Sequence, residues 1–181
     1  MLLIKRFFWY SLNDKRSWRE QDGVIYFTVT SDDTTGEEWI IRLEKKGYRV
    51  SNYAKSILRS DGFKPTKGVV TEIAVLKGIL FSDSDRVTKN IRNEADSRQL
   101  TKPNAEVACL IREMFMDKEI EAMGLTWITV MHELIKDSGG ALDLLDVDRG
   151  GDGQWLNACY DDPSSQWDRA DGFAFVVSQV S

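Results

Sequence analysis

From Asp137 to Ser181 the chain reads DSGGALDLLDVDRGGDGQWLNACYDDPSSQWDRADGFAFVVSQVS, without one Lys, Glu, Met, His, Ile or Thr, although the 136 residues before it carry 12 Lys and 11 Glu. In their place stand Asp, Gly, Ser, Asn and Ala, interleaved with Trp155, Leu156, Tyr160, Trp167, Phe173 and Phe175. A solvated tail lacks aromatics of this size, and an ordinary core segment lacks this density of short polar groups. The pattern reads as an aromatic frame holding interchangeable polar side chains, with Trp155, Tyr160, Trp167, Phe173 and Phe175 as the frame. The rest of the chain must fold so as to support it.

The upstream residues supply strands and helices for that support. Leu2–Leu12 and Val24–Thr30 (VIYFTVT) are rich in β-branched and aromatic residues and predict strands, with the polar stretch Asn13–Gly23 as a turn between them. Ser31 to Gly36 offers several helix N-caps ahead of Glu37 and Glu38, and Trp39, Ile40 and Leu43 recur at helical spacing up to Gly47. Ser51 is placed to cap a second, short helix with Tyr53, Ala54, Ile57 and Leu58 as its apolar face. Val69–Phe81 fits either a strand or a helix. Asp83–Gln99 predicts a surface helix with a thin stripe of Val87, Ile91 and Ala95. Ala105–Phe115 predicts a buried helix, Asp117–Met123 a further turn or two, and Thr126–Met131 a strand. Helices flanked by strands point to an α+β fold. At 181 residues the chain is long enough to bury a core of its own. One domain is expected, with residues 1–125 as strands and helices and residues 126–181 as the strand-and-loop part bearing the polar face.

Charge narrows the partners. The net charge is −5, yet from Ala141 to Gly172 eight Asp face only Arg149 and Arg169, a net of −6, so the remainder sums to +1. An acidic surface at this end excludes nucleic-acid phosphate, which needs Lys and Arg. No apolar run approaches the roughly 18 residues of a membrane span. Lys5 and Arg6 interrupt the apolar opening and no small-residue cleavage site follows, so it reads as a strand and not a signal peptide. Nothing in the sequence assigns a compartment.

Motifs for catalysis, metal or cofactor are poorly matched. His132 is the single His, and His132-Glu133 begins like a zincin motif whose fifth position is here Lys136. A structural histidine at a strand end is expected. Cys109 and Cys159 have neither metal-ligand nor disulfide-framework spacing, and Cys109 sits in an apolar helical run that predicts the core. Asp146-Val147-Asp148-Arg149-Gly150-Gly151-Asp152 has Gly at the sixth place of a calcium loop, but Gly150 and Asn157 fail its fifth and twelfth places. A solvated acidic loop is the better reading, and no metal or cofactor is assigned.

Trp155-Leu156-Asn157, Tyr160, Pro163, Trp167-x-Arg169 and Gly172-Phe173-x-Phe175, preceded by Gly-Gly-Asp-Gly-x-Trp, together resemble the variable region of variable proteins from diversity-generating retroelements. The ending Asp171-Gly172-Phe173-Ala174-Phe175-Val176-Val177 is similar to the last strand of the formylglycine-generating-enzyme branch of the same fold, although that branch commonly has Arg where Ala174 stands. The resemblance covers residues 126–181 and is weak before them. It implies a C-type lectin fold, with helices packed on a small antiparallel sheet and a long irregular variable region.

It further implies a non-enzymatic receptor for a protein ligand, diversified by a reverse transcriptase that errs at adenines. AAC codons then become NNC, which cannot encode Lys, Glu, Met, Gln or Trp. Gln154 and Gln166 do not fit that origin. The positions expected to vary and to bind ligand are Asp146, Asp148, Gly150, Gly151, Asn157, Cys159, Asp161, Asp162, Ser164, Ser165, Asp168, Ala170 and Asp171. They are expected to converge on one exposed face, and their acid excess favours a basic partner. Two alternatives stand beside this reading: a relative of the formylglycine-generating enzyme, and a regulatory module acting through residues 1–125.

Overall fold

The computed structural model describes residues 16–178. The strand predicted at Leu2–Leu12 lies outside them. Among the described residues, β1 (Arg19–Gln21) and β2 (Val24–Asp32) form a hairpin closed by Asp22-Gly23, both at positive φ, the backbone a two-residue primed turn requires. The predicted polar turn thus holds a charged edge strand in its second half, a composition that discourages pairing with a further chain.

Helix α1 (Gly36–Lys45) starts at Thr35 through a capping box. The Thr35 hydroxyl accepts from the Glu38 amide, and the Glu38 carboxylate accepts from the Thr35 amide at 2.8 Å. After β3 (Arg49–Val50), Ser51 caps α2 (Asn52–Leu58), whose Ala54, Ile57 and Leu58 are buried. Tyr53, predicted for that apolar face, points to solvent instead. The two helices approach so closely that a Cβ on Gly36 would lie 1.7 Å from the Leu58 carbonyl oxygen.

The ambiguous segment is strand β4 (Lys67–Lys77), followed by a 3-10 turn at Gly78–Leu80. Its consecutive buried residues Ile73, Ala74, Val75 and Leu76 erase the alternation that marks a one-sided strand. Helices α3 (Thr88–Ser97), α4 (Glu106–Met114) and α5 (Asp117–Ala122) and the short β5 (Leu100–Thr101) follow, then β6 (Trp127–Val130) and β7 (Ile135–Lys136). The last three strands are β8 (Leu142–Gly150), β9 (Gly153–Tyr160) and β10 (Asp171–Val177).

All ten strands of the described residues join one sheet in the order β1-β2-β4-β10-β6-β8-β9-β3, with β5 beside β10 and β7 beside β8. The fold is α+β. Two expectations are corrected. The sheet is neither small nor wholly antiparallel, since β10 runs parallel to β6 and β3 parallel to β9. The terminal region is not a long irregular segment either, because three regular strands take up most of it. Burial of Leu145, Val147 and Leu156 against the helices selects strand over loop there.

One face of the sheet packs on α1, α2, α4 and α5 around Trp39, Leu43, Ile57, Ile111, Phe115 and Ile128. The other carries α3, whose Ile91 and Ala95 meet Met131, Leu144, Phe173 and Phe175. Val87, the first residue of the predicted stripe, is only half-buried. No helix of the described residues is long and apolar enough to cross a membrane.

Candidate functional site

Strands β8 and β9 pair from Asp143↔Tyr160 to Gly150↔Gly153, leaving Gly151-Asp152 as a two-residue turn. The predicted acidic loop is therefore a hairpin, and its Asp side chains divide by strand alternation. Leu145, Val147, Leu156 and Ala158 face the helices. Asp146, Asp148, Trp155, Asn157 and Cys159 take the opposite face by parity.

Strand pairing extends this face sideways in rows. Asp171, Trp127, Asp148, Trp155 and Arg49 lie side by side across β10, β6, β8, β9 and β3, and the next row is Phe173, Thr129, Asp146 and Asn157. A third row contains Leu144 and Cys159, with Phe175 on its flank, under α3. Trp127, Thr129 and Arg49 were not singled out in the sequence. The alternation of TWITVM, with Ile128 and Val130 inward, was the signal for the first two. The parallel contact that brings in Arg49 has no local signature.

Desolvation dominates the chemistry here. Asp146 is 2% exposed, and burial pushes its carboxyl up to about 7, with the Cys159 thiol hydrogen-bonded to it and the charges of Asp148 and Asp171 nearby. Asp171, also buried, is raised to about 6 by desolvation, partly countered by the Asp168 amide that donates to it at 2.8 Å. Asp148 is raised by burial and drawn back by a hydrogen bond with Trp127. Burial, reinforced by Asp146, holds the Cys159 thiol well above its ordinary value, the reverse of what a nucleophilic cysteine needs. Asp148 Oδ1 and Thr129 Oγ1 are buried without a hydrogen-bond partner. At the hairpin turn Asp152 accepts from Trp155 Nε1 at 3.0 Å and pairs with Arg49 at 3.1 Å, while the Arg49 guanidinium lies 5.2 Å from the centre of the Trp155 ring.

The remaining predicted positions lie on the segment 161–170, which is bound to the start of α3. The Thr88 and Lys89 amides, unpaired donors of a helix's first turn, donate to Ser165 O and Pro163 O at 3.1 and 3.0 Å. Thr88 Oγ1 donates to Asp161 and accepts from Trp167 Nε1 at 2.8 Å. Gly78 lets the segment close in, since a Cβ there would lie 2.5 Å from Asp168 O. Asp162 takes the Ser164 amide at 2.7 Å in a local turn. Ser164, Asp168 and Ala170 are exposed and Ser165 half-buried.

The predicted positions therefore split into a sheet-face group and an α3-bound group. The expected common exposed face is corrected for Asp146, Asp161 and Asp171, which are buried by the pleat and by the folded-over segment. Of the predicted frame, Trp167, Phe173 and Phe175 are buried, with Trp167 edge-on to Phe173 at 5.5 Å. Trp155 is half-buried. Tyr160, at 60% exposure, lies outside the frame because it ends the hairpin beyond the packed layers.

Gln154 and Gln166, the residues at odds with an NNC origin, both have structural partners. Gln154 Oε1 accepts from the Asp117 amide at 3.2 Å, and Gln166 Nε2 donates to Asp83 O and Arg86 O at 2.8 and 3.1 Å. His132 is buried as a strand-end residue. Its Nε2 accepts from the Leu145 amide at 2.9 Å, and desolvation lowers its pKa to about 4. Among the described residues no group of His, Cys, Asp and Glu is arranged to hold a metal ion.

These features define, at the level of class, an α+β protein with an acidic, tryptophan-flanked strand face. No family model, curated protein or solved structure matches the chain.

Proposed function

We propose that the protein is a non-enzymatic, receptor-type binder of a protein ligand, with a C-type lectin fold and a terminal surface diversified in the manner of retroelement variable proteins. One observation carries this reading. Asp148 and Asn157 project from the same strand face, while their chain neighbours Val147 and Leu156 fill the core behind them. Side chains in that position exchange at small cost to folding, whereas the inward set does not. The structural hydrogen bonds of Gln154 and Gln166 agree with a constant frame at those two positions.

Sequencing the 3′ end of the gene across many cells of one culture tests the proposal. Burial refines the expected result. Substitutions should concentrate at Asp148, Gly150, Gly151, Asn157, Asp162, Ser164, Ser165, Asp168 and Ala170, should be rarer at the buried Asp146, Asp161 and Asp171 and at Cys159 under α3, and should have a near-identical template repeat close by. An invariant 3′ end without such a repeat would remove diversification from the account.

A further inference from the structure

We propose that the strand face between Trp127 and Trp155 takes one basic side chain, an arginine or lysine of a protein partner, with its cationic head against Asp148 and above Thr129. This rests on the binding reading above and supplies the partner's chemistry.

The face holds buried polar oxygens without partners. Asp148 Oδ1 and Thr129 Oγ1 are both buried without a partner, and Thr129 is 0% exposed. Cross-strand pairing puts Thr129 beside Asp146 and Trp127 beside Asp148, so these four side chains form one block on the same face. Buried polar atoms without partners are destabilising, and a ligand bearing several N–H donors relieves that cost. Guanidinium and ammonium groups are such ligands, offering donors and no acceptor.

Charge points the same way. Asp146, Asp148 and Asp171 lie on this face, whose own cation, Arg49, is already paired with Asp152, while Arg112 and Arg86 exert only lesser attractions on Asp148 and Asp171. The indoles add their own preference, because an aromatic face attracts a cation within about 6 Å of its centre. The chain uses that attraction itself in seating the Arg49 guanidinium 5.2 Å from the Trp155 ring centre. Adjacent strands lie about 4.8 Å apart, so Trp127 and Trp155 flank Asp148 on either side, with Trp127 hydrogen-bonded to its carboxyl. Both indoles are half-buried, so an entering group meets them first. A metal ion fits less well, as the described carboxylates are not arranged as a ligand set.

The experiment is an NMR titration of the full chain, labelled with nitrogen-15. The probes are N-acetyl-arginine methylamide, N-acetyl-lysine methylamide, the neutral citrulline analogue and calcium ion alone. Saturable shifts of the Trp127 and Trp155 indole N–H signals and the Thr129 amide, given by arginine or lysine and not by citrulline, are expected. Asp148→Asn, nearly isosteric, should weaken that binding about tenfold or more while the spectrum keeps its dispersion. Should Asp148→Asn fail to fold, Trp155→Ala provides the second variant, expected to weaken binding several-fold.

Three results would overturn the proposal: citrulline matching arginine, shifts spread evenly over the acidic surface, or calcium alone reproducing the pattern. The two readings fail separately. An invariant 3′ end removes diversification and leaves this titration untouched, whereas a diversified 3′ end with no arginine or lysine response removes only the basic side chain.

Discussion

Replacing Asp146 with Asn removes a carboxyl that burial holds at a pKa of about 7, against 3.8 for a solvated aspartate. The folded chain therefore binds this proton more tightly than the unfolded chain. Its contribution favours the native state at low pH and is lost as the pH rises from about 4 to about 7. A difference of about 3 pKa units, at about 1.4 kcal/mol each, makes this about 4 kcal/mol.

Asn mimics the protonated carboxyl and keeps an acceptor for the Cys159 thiol, so Asp146→Asn should match wild type near pH 4. It should exceed wild type by about 4 kcal/mol near pH 8. Asp171, raised to about 6, slopes the same way as Asp146. His132, lowered to about 4, slopes oppositely, contributing stability above its unfolded value of 6.5 that is lost as the pH falls. His132 remains in the variant and cancels in the difference, whereas the charge of Asp171 acts on Asp146 and is part of that difference. Urea unfolding followed by tryptophan fluorescence at several pH values measures that difference directly. Parallel curves for the two proteins, offset by a constant, would refute the desolvation of Asp146.

The other predictions concern the frame. Gly36→Ala should cost about 3 kcal/mol in the same unfolding assay, because the new methyl meets a backbone carbonyl that no rotamer change relieves. Thr35→Ala should cost about 1 kcal/mol through loss of the capping box. Trp167→Ala should cost about 3 to 5 kcal/mol, while Tyr160→Ala stays within about 0.5, and equal costs would contradict their assigned roles. Both thiols are pushed well above their ordinary pKa, so a thiolate-directed reagent at neutral pH should label the native chain far more slowly than the urea-unfolded chain.

Local patterns carried much of the architecture. The β-branched run of β2, the cap at Thr35 with Glu38 three residues on, the cap at Ser51 and the apolar run of α4 each encode their element through neighbours a few residues away. Local reading failed where burial on both faces removed the periodicity, as in β4. It failed again where Asp and Gly residues that resemble a loop are strand residues on the face opposite the larger core, as in β8 and β9. The missing Lys and Glu after Asp137 marked the region of the candidate site.

The sequence by itself determined the α+β class, most helix starts, the strand-end place of His132, the core role of Cys109, and the place of the acidic face along the chain. Tertiary structure alone decided that β10 lies between β4 and β6, that Arg49 reaches Trp155 across a parallel contact, and which aspartates lose water. Those outcomes depend on pairings between residues distant in the chain. Solvation of a carboxyl is set by what packs over it, and no short stretch of residues around Asp146 or Asp171 contains that information.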